Sequence, residues 1–378
     1  MTLRNYFRLL TEDQLYVSRW SWFWKPVLTC ASYFYVLGLI VHRLFYRIGI
    51  LKARSFSKPV ISIGNITWGG TGKTPIVEYV GRFYLNRRKT PLILTRGYGS
   101  DEDKQLAKQL PDAKFGVGGN RFEQGEQILK THNADVIILD DGFQHWNIKR
   151  DLDIVSINVL NPFGNSSLIP RGILREPLAS LKRASIVVLT DVNLTPRKEL
   201  ENLKAKIHAI SSKIEFIEAY REPLYFYRPE SRERIQVGRF QGQRVTSFSG
   251  IGTPRSFLML LNQIGLKTVR NFEFSDHHHY SENELREIVF AKETSECQEI
   301  ITTEKDFHRC EKEMRKMVKP LVLKVRLRLT TGEHMLHQYL SRFIESSASS
   351  VMPYKVDEVP SEVKPLNELN SETSVKEL

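Results

Sequence analysis

The sequence predicts an α/β protein whose main domain is built on a parallel sheet. A second, smaller α/β domain should follow it, and a membrane-associated helix should precede it. Three observations support this reading. Short aliphatic strands alternate with helical patterns from residue 59 to 190, as in a parallel sheet covered on both faces. The same texture returns after residue 244, beyond a stretch rich in aromatics and arginine. Ahead of both, Pro26–Val41 runs 16 residues without a charge.

The chain is 378 residues long and 41% hydrophobic, enough for two cores with extensions. Its formal charge of +12 points to an anionic partner: nucleic acid, acidic lipid or a phosphorylated substrate. Cys30, Cys297 and Cys310 are scattered and form no CxxC pair. This speaks against a disulfide framework or a zinc site and fits a reducing compartment.

Residues 1–57 read as an N-terminal membrane-associated segment. Trp20, Trp22, Phe23 and Trp24 precede the uncharged run, and His42, Arg43 and Arg47 follow it, like interfacial anchors. The run falls slightly short of the ~20 residues that span a bilayer, and no small-residue cleavage site follows it. A helix embedded in or lying along a membrane surface is expected. Arg19, Lys25, Arg43, Arg47, Lys52 and Arg54 would then meet anionic headgroups. A spanning helix and a buried core helix are the alternatives. The basic flank would keep the following domain on the cytoplasmic side.

Residues 58–222 form the expected main domain. Strand Val60–Ile63 runs into a glycine-rich loop and then a helix opening at Lys73-Thr74-Pro75. Gly69, Gly70 and Gly72 let backbone N–H groups converge on phosphate oxygens, and the helix N-terminus favours the same anion. Lys73 would reach the β/γ-phosphates and the Thr74 hydroxyl would ligate Mg²⁺, which makes the fold P-loop NTPase-like. The usual pattern has glycine where this chain has Thr67. Strand Pro91–Thr95 then leads to Arg96-Gly97-Tyr98-Gly99 and the acidic run Asp101-Glu102-Asp103. Strand Lys114–Val117 leads to Arg121, and strand Val136–Leu139 closes on Asp140-Asp141-Gly142-Phe143-Gln144-His145. Strands at Ile154–Asn158 and Ile186–Thr190 flank a loop, Asn161–Pro177, rich in Gly, Pro and Arg.

Residues 223–243 read as an extended interdomain linker and 244–344 as the smaller α/β domain, with strands at Val245–Phe248, Ile300–Thr303 and Leu321–Val325. Residues 345–378 carry Ser, Pro, Glu and Lys with almost no aromatics, the composition of a disordered, acidic tail.

Several constellations carry chemistry. An aliphatic strand ending in aspartate supplies a carboxylate for Mg²⁺, here Asp140 or Asp141. Phosphoryl transfer to an alcohol usually uses a carboxylate to accept the hydroxyl proton. Asp101, Glu102 or Asp103 at a strand edge could do so, although a surface acidic run is ordinarily a solvated face. Asp276-His277 is a carboxylate–histidine pair suited to proton transfer. With His278 and His279 it could instead bind a transition metal, or be plain loop histidines. Arg96, Arg121, Arg171 and Arg175 lie on separate strand-edge loops. If they converge they would clamp a phosphorylated acceptor; Glu176 would pair with Arg175.

Six motifs occur in one order: Gly-Asn-Ile-Thr-Trp-Gly-Gly-Thr-Gly-Lys-Thr-Pro over residues 64–75, Arg96-Gly97-Tyr98-Gly99, Asp140–His145, Leu174-Arg175-Glu176-Pro177, Gly250-Ile251-Gly252 and Thr303-Glu304-Lys305-Asp306. The chain resembles the tetraacyldisaccharide 4'-kinase family of the lipid A pathway over roughly residues 20–340. The resemblance implies ATP- and Mg²⁺-dependent phosphorylation of the 4'-hydroxyl of a lipid substrate, tetraacyldisaccharide 1-phosphate, at the cytoplasmic face of the inner membrane. It places the phosphate loop on Thr67, Trp68, Gly69, Gly70, Thr71, Gly72, Lys73 and Thr74, and metal contacts on Thr74, Asp140 and Asp141. Asp101 matches the family's catalytic aspartate, with Ser100 in place of a glycine before it, and Asp276 and His277 match its Asp–His pair. Arg96, Arg121, Arg171, Arg175, Glu176 and His145 are the expected substrate residues; many members have a small residue where this chain has Arg171. The rivals are a membrane-recruited P-loop ATPase switch, a GTPase, for which no Asn-Lys-x-Asp element is found, and a nucleic-acid binder. No nucleic-acid partner is expected, because the basic residues are spread and no reading module is recognisable.

Overall fold

The computed structural model describes residues 19–97, 101–231 and 233–345, with side chains described for 23–97, 105–231 and 233–344. Residues 346–378 of the expected tail, Tyr98–Ser100 and the side chains of Arg19, Trp20, Trp22, Asp101, Glu102 and Asp103 lie outside them, and Glu345, expected to open the tail, ends the last helix.

The strands are β1 (Val60–Gly64), β2 (Pro91–Thr95), β3 (Lys114–Val117), β4 (Val136–Asp140), β5 (Leu152–Asn158), β6 (Ile186–Thr190), β7 (Glu215–Tyr227), β8 (Arg234–Ile235), β9 (Arg244–Ser249), β10 (Lys267–Glu273), β11 (Glu299–Thr303) and β12 (Leu321–Thr331). They form a single sheet in the order β10-β9-β11-β12-β7-β6-β5-β1-β4-β2-β3, with β8 beside β7. Every residue of β1, β2, β5 and β6 is buried, as a parallel strand covered on both faces requires. One face of this half packs Ile61, Ile63, Ile138 and Ile154 against Val77, Val80 and Tyr84 of the helix Lys73–Leu85. The other packs Val155, Ile157, Val187 and Leu189 against Leu200, Leu203 and Ile207 of the helix Arg197–His208.

The two halves are joined by backbone hydrogen bonding. β7 runs parallel to β6 through its first residues and then antiparallel to β12 from Glu218 to Tyr227. Residues 223–227, expected to begin a linker, therefore continue a central strand. Their mostly half-buried side chains read as loose extended chain until the partner, about a hundred residues later in sequence, is known. The last helix, Glu333–Glu345, then crosses back to the first half. Leu336 and Leu340 enter its core, and the Tyr84 hydroxyl donates to the Leu340 carbonyl at 2.9 Å.

The N-terminal helix Arg19–Arg47 is 29 residues long, about 43 Å at 1.5 Å per residue. Its stretch Phe23–Arg47 is long and apolar enough to cross a membrane, and little of it is buried in the protein. Polar groups hold one side to the body. The Ser32 hydroxyl donates to the Leu168 carbonyl (2.9 Å), the Tyr35 hydroxyl donates to the Arg175 carbonyl (2.7 Å), and Arg43 donates to Glu176 (2.5 Å) and Ser180 (2.6 Å). Tyr33, Phe34, Leu37, Ile40 and Leu44 face outward.

Leu340 is fully buried in the first core although it belongs to the last helix. Leu340→Ala should lower the unfolding free energy by about 2–5 kcal/mol, read as a shift in the urea midpoint. A change below about 0.5 kcal/mol, the range of surface substitutions, would show that this helix does not stabilise the first half.

Candidate active site

β1 ends at Gly64, where an added Cβ would lie 2.5 Å from Phe143 Cβ and 2.7 Å from Phe143 N. A side chain there would displace the strand from the Asp141–His145 segment. The loop then folds around Asn65, which is fully buried and donates to Thr71 Oγ1 at 3.1 Å and the Gly69 carbonyl at 3.4 Å. Hydroxyls of Ser156 on β5 and Thr190 on β6 both donate to the Thr71 carbonyl, which holds it against the sheet. Gly72, at φ +86, opens the helix Lys73–Leu85, whose N-terminus has no side-chain cap. A left-handed residue favours glycine, and an uncapped N-terminus offers N–H groups to an anion.

Gly69–Thr74 line a cleft between the two halves. Thr67 and Trp68 lie just outside that lining. Thr67 is buried against Leu174, Trp68 N–H donates to the Ile173 carbonyl (2.6 Å), and the Trp68 side chain is 72% exposed. Both are committed to the loop 168–174, so the cleft-lining part of the loop begins at Gly69.

At the end of β4, Asp141 takes a left-handed conformation at φ 53. Its carboxylate accepts from Arg175 at 2.8 and 3.0 Å and lies 3.6 Å from Lys73 Nζ. Buried Arg121 donates to its main-chain carbonyl at 3.1 Å. Burial alone would raise the Asp141 pKa, but Lys73, Arg175 and Arg121 outweigh it and hold the carboxyl well below the usual carboxylate range. Arg175 also donates to Asn65 Oδ1 at 3.1 Å, so it ties this carboxylate to the phosphate loop. Asp140 ends the strand and sits near Arg121. An ionised carboxylate beside Lys73, with the Thr74 hydroxyl in the cleft, is a hard-oxygen set suited to Mg²⁺, which takes one or two carboxylates together with phosphate oxygens.

Of the expected substrate residues, Arg96, Arg121, Arg175 and His145 gather around this point. Burial, with Arg121, Arg150 and Arg96 nearby, pushes the His145 pKa down to about 4. Arg171 sits farther back in the loop, its N–H donating to Ser32 Oγ and its carbonyl accepting from Asn165. Glu176 departs from expectation. It is 1% exposed and accepts from Arg43 and Arg183 instead of Arg175. Burial would raise its pKa, and Arg183, Ser180 and Arg43 lower it. It is an internal anchor for the N-terminal helix, and both its oxygens accept from guanidinium groups.

The opposite wall of the cleft comes from the second half. The turn 250–253 lies directly on the phosphate loop: a Cβ on Gly252 would stand 1.9 Å from Gly70 N, and the Thr253 hydroxyl donates to the Gly70 carbonyl at 2.9 Å. Asp306, fully buried, pins that turn by accepting from Gly250 N–H (3.0 Å), the Tyr280 hydroxyl (2.9 Å) and Arg309 (3.1 Å). Asp276 accepts from Lys305 at 3.0 Å, and His277 Nε2 lies 3.8 Å from its other oxygen. Burial opposes ionisation of Asp276, but Lys305 and His277 hold its pKa down. Asp276, His277, Glu304 and Lys305 all line the cleft. His278 stacks on Phe274 and contacts Glu284 at 3.1 Å. Among the described residues no three His, Cys, Asp or Glu side chains converge as a metal site, so the transition-metal reading of residues 277–279 has no geometric support. The position of Asp101 opens the helix Asp101–Gln109, whose Gln105 and Gln109 line the same cleft.

The sequence reading missed Arg221. It lies in the cleft wall and donates to Asp191 Oδ1 at 2.8 Å, to Asp191 Oδ2 and to Ser256 (2.5 Å), while Asn158 donates to the same aspartate at 2.7 Å. No local signal marks it, because its partners come from the residue after β6 and from the helix Pro254–Gln263. Asp306 was visible as the last residue of the Thr303–Asp306 motif, but without a role.

The His145 pKa gives a pH dependence of known sign. The unfolded chain takes up a proton near pH 6.5, and the folded protein refuses it until about 4. Between those values the unfolded state binds more protons, so stability falls as pH falls. The urea midpoint should therefore drop between pH 7 and pH 5 more in the wild type than in His145→Gln. Equal drops would show that His145 is protonated freely in the fold.

The sequence profile of the tetraacyldisaccharide-1-P 4'-kinase family matches residues 24–345. A probable tetraacyldisaccharide 4'-kinase, mitochondrial, of Arabidopsis thaliana is 35% identical over 75% of this chain and 80% of its own. The tetraacyldisaccharide 4'-kinase of Chlorobium limicola is 33% identical over 85% of this chain and 99% of its own. Among solved structures, that of the "apo" form of LpxK from Aquifex aeolicus in complex with ATP superposes with a TM-score of 0.62, at 25% identity, over 84% of this chain and 99% of that one. With a match running from the N-terminal helix to the last helix, the chain belongs to the tetraacyldisaccharide-1-P 4'-kinase family.

Proposed function

We propose that this protein transfers the γ-phosphoryl group of ATP to the 4'-hydroxyl of tetraacyldisaccharide 1-phosphate, giving lipid IVA in lipid A biosynthesis. The observation that carries the reading is the triangle of Lys73, Asp141 and Arg175 at the mouth of the phosphate loop, in a chain of this family. The sugar oxygen attacks the γ-phosphorus, the bond from that phosphorus to the bridging β,γ-oxygen breaks, and ADP leaves. Lys73 and the loop N–H groups hold the phosphates in line and offset their charge. Thr74 and Asp141 or Asp140 would hold Mg²⁺, which would supply further charge neutralisation. Arg96, Arg121 and Arg175 gather near Asp141 and suit phosphate oxygens brought into the cleft. Asp101 accepts the hydroxyl proton; support comes from its place one helical turn before Gln105, which lines the cleft. The Asp276–His277 pair on the facing wall tunes that step.

A lipid acceptor stays in its bilayer, since each CH₂ withdrawn costs about 0.8 kcal/mol. The outward face of the helix Arg19–Arg47 is apolar, while its other side is bonded to the loop that carries Arg175. This supports a helix lying in the cytoplasmic interface of the inner membrane, as a peripheral or monotopic element beside anionic lipid.

Incubation with γ-labelled ATP and a panel of acylated disaccharide phosphates should move the label to the lipid. ATP consumption without acceptor and with no labelled lipid would favour a nucleotide-driven switch. Asp101→Asn should lower kcat by about 10²–10⁴-fold, the usual range for a general base, with ATP affinity within about twofold. Near-normal turnover would remove Asp101 from the chemistry.

A further inference from the structure

The segment Arg175–Glu176 is gripped from two directions. On the inner side, the Arg175 guanidinium holds Asp141 at 2.8 and 3.0 Å and Asn65 at 3.1 Å. Asp141 lies beside Lys73, and Asn65 shapes the phosphate loop through Thr71 and Gly69. On the outer side, the Tyr35 hydroxyl donates to the Arg175 carbonyl at 2.7 Å, and Arg43 donates to Glu176 Oε2 at 2.5 Å and to Ser180 at 2.6 Å. Both outer contacts come from the helix Arg19–Arg47. Glu176 is 1% exposed, so without Arg43 the guanidinium left facing its charge among the described residues is that of Arg183, and a buried charge that loses a partner is destabilised where it stands. Residues 34 and 35 point to opposite surroundings: Phe34 is 76% exposed, while Tyr35 reaches the loop.

We infer that Tyr35 and Arg43 are positioning residues for phosphoryl transfer, setting the Arg175 guanidinium against Asp141 and the phosphate loop from the N-terminal helix. The helix thus contributes to turnover through the backbone of Arg175 and the carboxylate of Glu176, separately from any contact it makes with lipid. This rests on the kinase reading above.

The comparison variant is Ser32→Ala, which removes helix-to-body contacts at Leu168 and Arg171 N–H and leaves residues 175–176 untouched. Tyr35→Phe deletes one neutral hydrogen bond and should lower kcat about three- to tenfold. Arg43→Gln should lower it about tenfold or more, with partial recovery in Arg43→Lys, which keeps the charge. Ser32→Ala should leave kcat within about twofold. Co-sedimentation with vesicles of phosphatidylethanolamine and phosphatidylglycerol should be the same for all four variants and the wild type. A double-mutant cycle provides the sharper reading: in an Arg175→Lys background, Tyr35→Phe should have little further effect on kcat, because the group it positions is gone.

Equal losses in Tyr35→Phe and Ser32→Ala, or additive losses in the cycle, would overturn the inference by showing that only seating of the helix matters. Loss of vesicle binding in Tyr35→Phe in proportion to activity would also overturn it. If the wild type labels no acylated disaccharide phosphate, the kinase reading fails. If it does and Tyr35→Phe is unchanged in kcat, only the positioning role fails.

Discussion

The structure depends on one half-buried anion shared among three cations. Asp141 leaves β4 in a left-handed turn, and its carboxylate sits between Lys73 of the phosphate loop and Arg175 of the loop 161–177, with Arg121 on its carbonyl. Removing a carboxylate from water is costly, and only close, hydrogen-bonded partners offset it. That requirement draws three chain segments, far apart in sequence, to the C-terminal edge of the parallel strands, where open α/β sheets bind ligands.

The second half of the molecule shapes the same place from across the cleft. Antiparallel pairing of β7 with β12 makes one sheet of two parallel halves, so the turn 250–253 reaches the phosphate loop on a continuous hydrogen-bonded frame. The contact is backbone against backbone, which is why glycine stands at both Gly70 and Gly252. Asp306 fixes the turn from beneath, and Arg221 links its neighbour Ser256 to Asp191 at the end of β6. The facing wall therefore presents Asp276, His277 and Lys305 to the same cleft as Lys73 and Thr74.

What was legible in the sequence is what local rules write. The strand, glycine turn and Lys73-Thr74 helix start follow from steric freedom at Gly72 and from helix N-terminal electrostatics, both contained in a few residues. The aliphatic run Val136–Leu139 ending in aspartate is equally local. What escaped depends on distant partners. Residues 223–227 look like extended linker because β12 supplies their hydrogen bonds from the far end of the chain. The return of Leu336 and Leu340 to the first core has no sequence marker. Glu176 next to Arg175 suggests a neighbouring pair, yet folding gives Glu176 to Arg43, 133 residues away. Thr67 and Trp68 follow the loop by spacing, and their backbone also pairs with residues 173–174, a contact no local pattern marks.

The central claim is that Lys73, Thr74 and Asp141 form the seat of a nucleotide's phosphates and metal. A crystal structure with Mg²⁺ and a non-hydrolysable ATP analogue tests it most directly. Lys73 Nζ should then lie within hydrogen-bond distance of the β- or γ-phosphate, Gly69–Gly72 should wrap the phosphate chain, and Mg²⁺ should contact Thr74 Oγ1. A nucleotide bound elsewhere, with Lys73 still paired to Asp141 and the loop unchanged, would contradict the account.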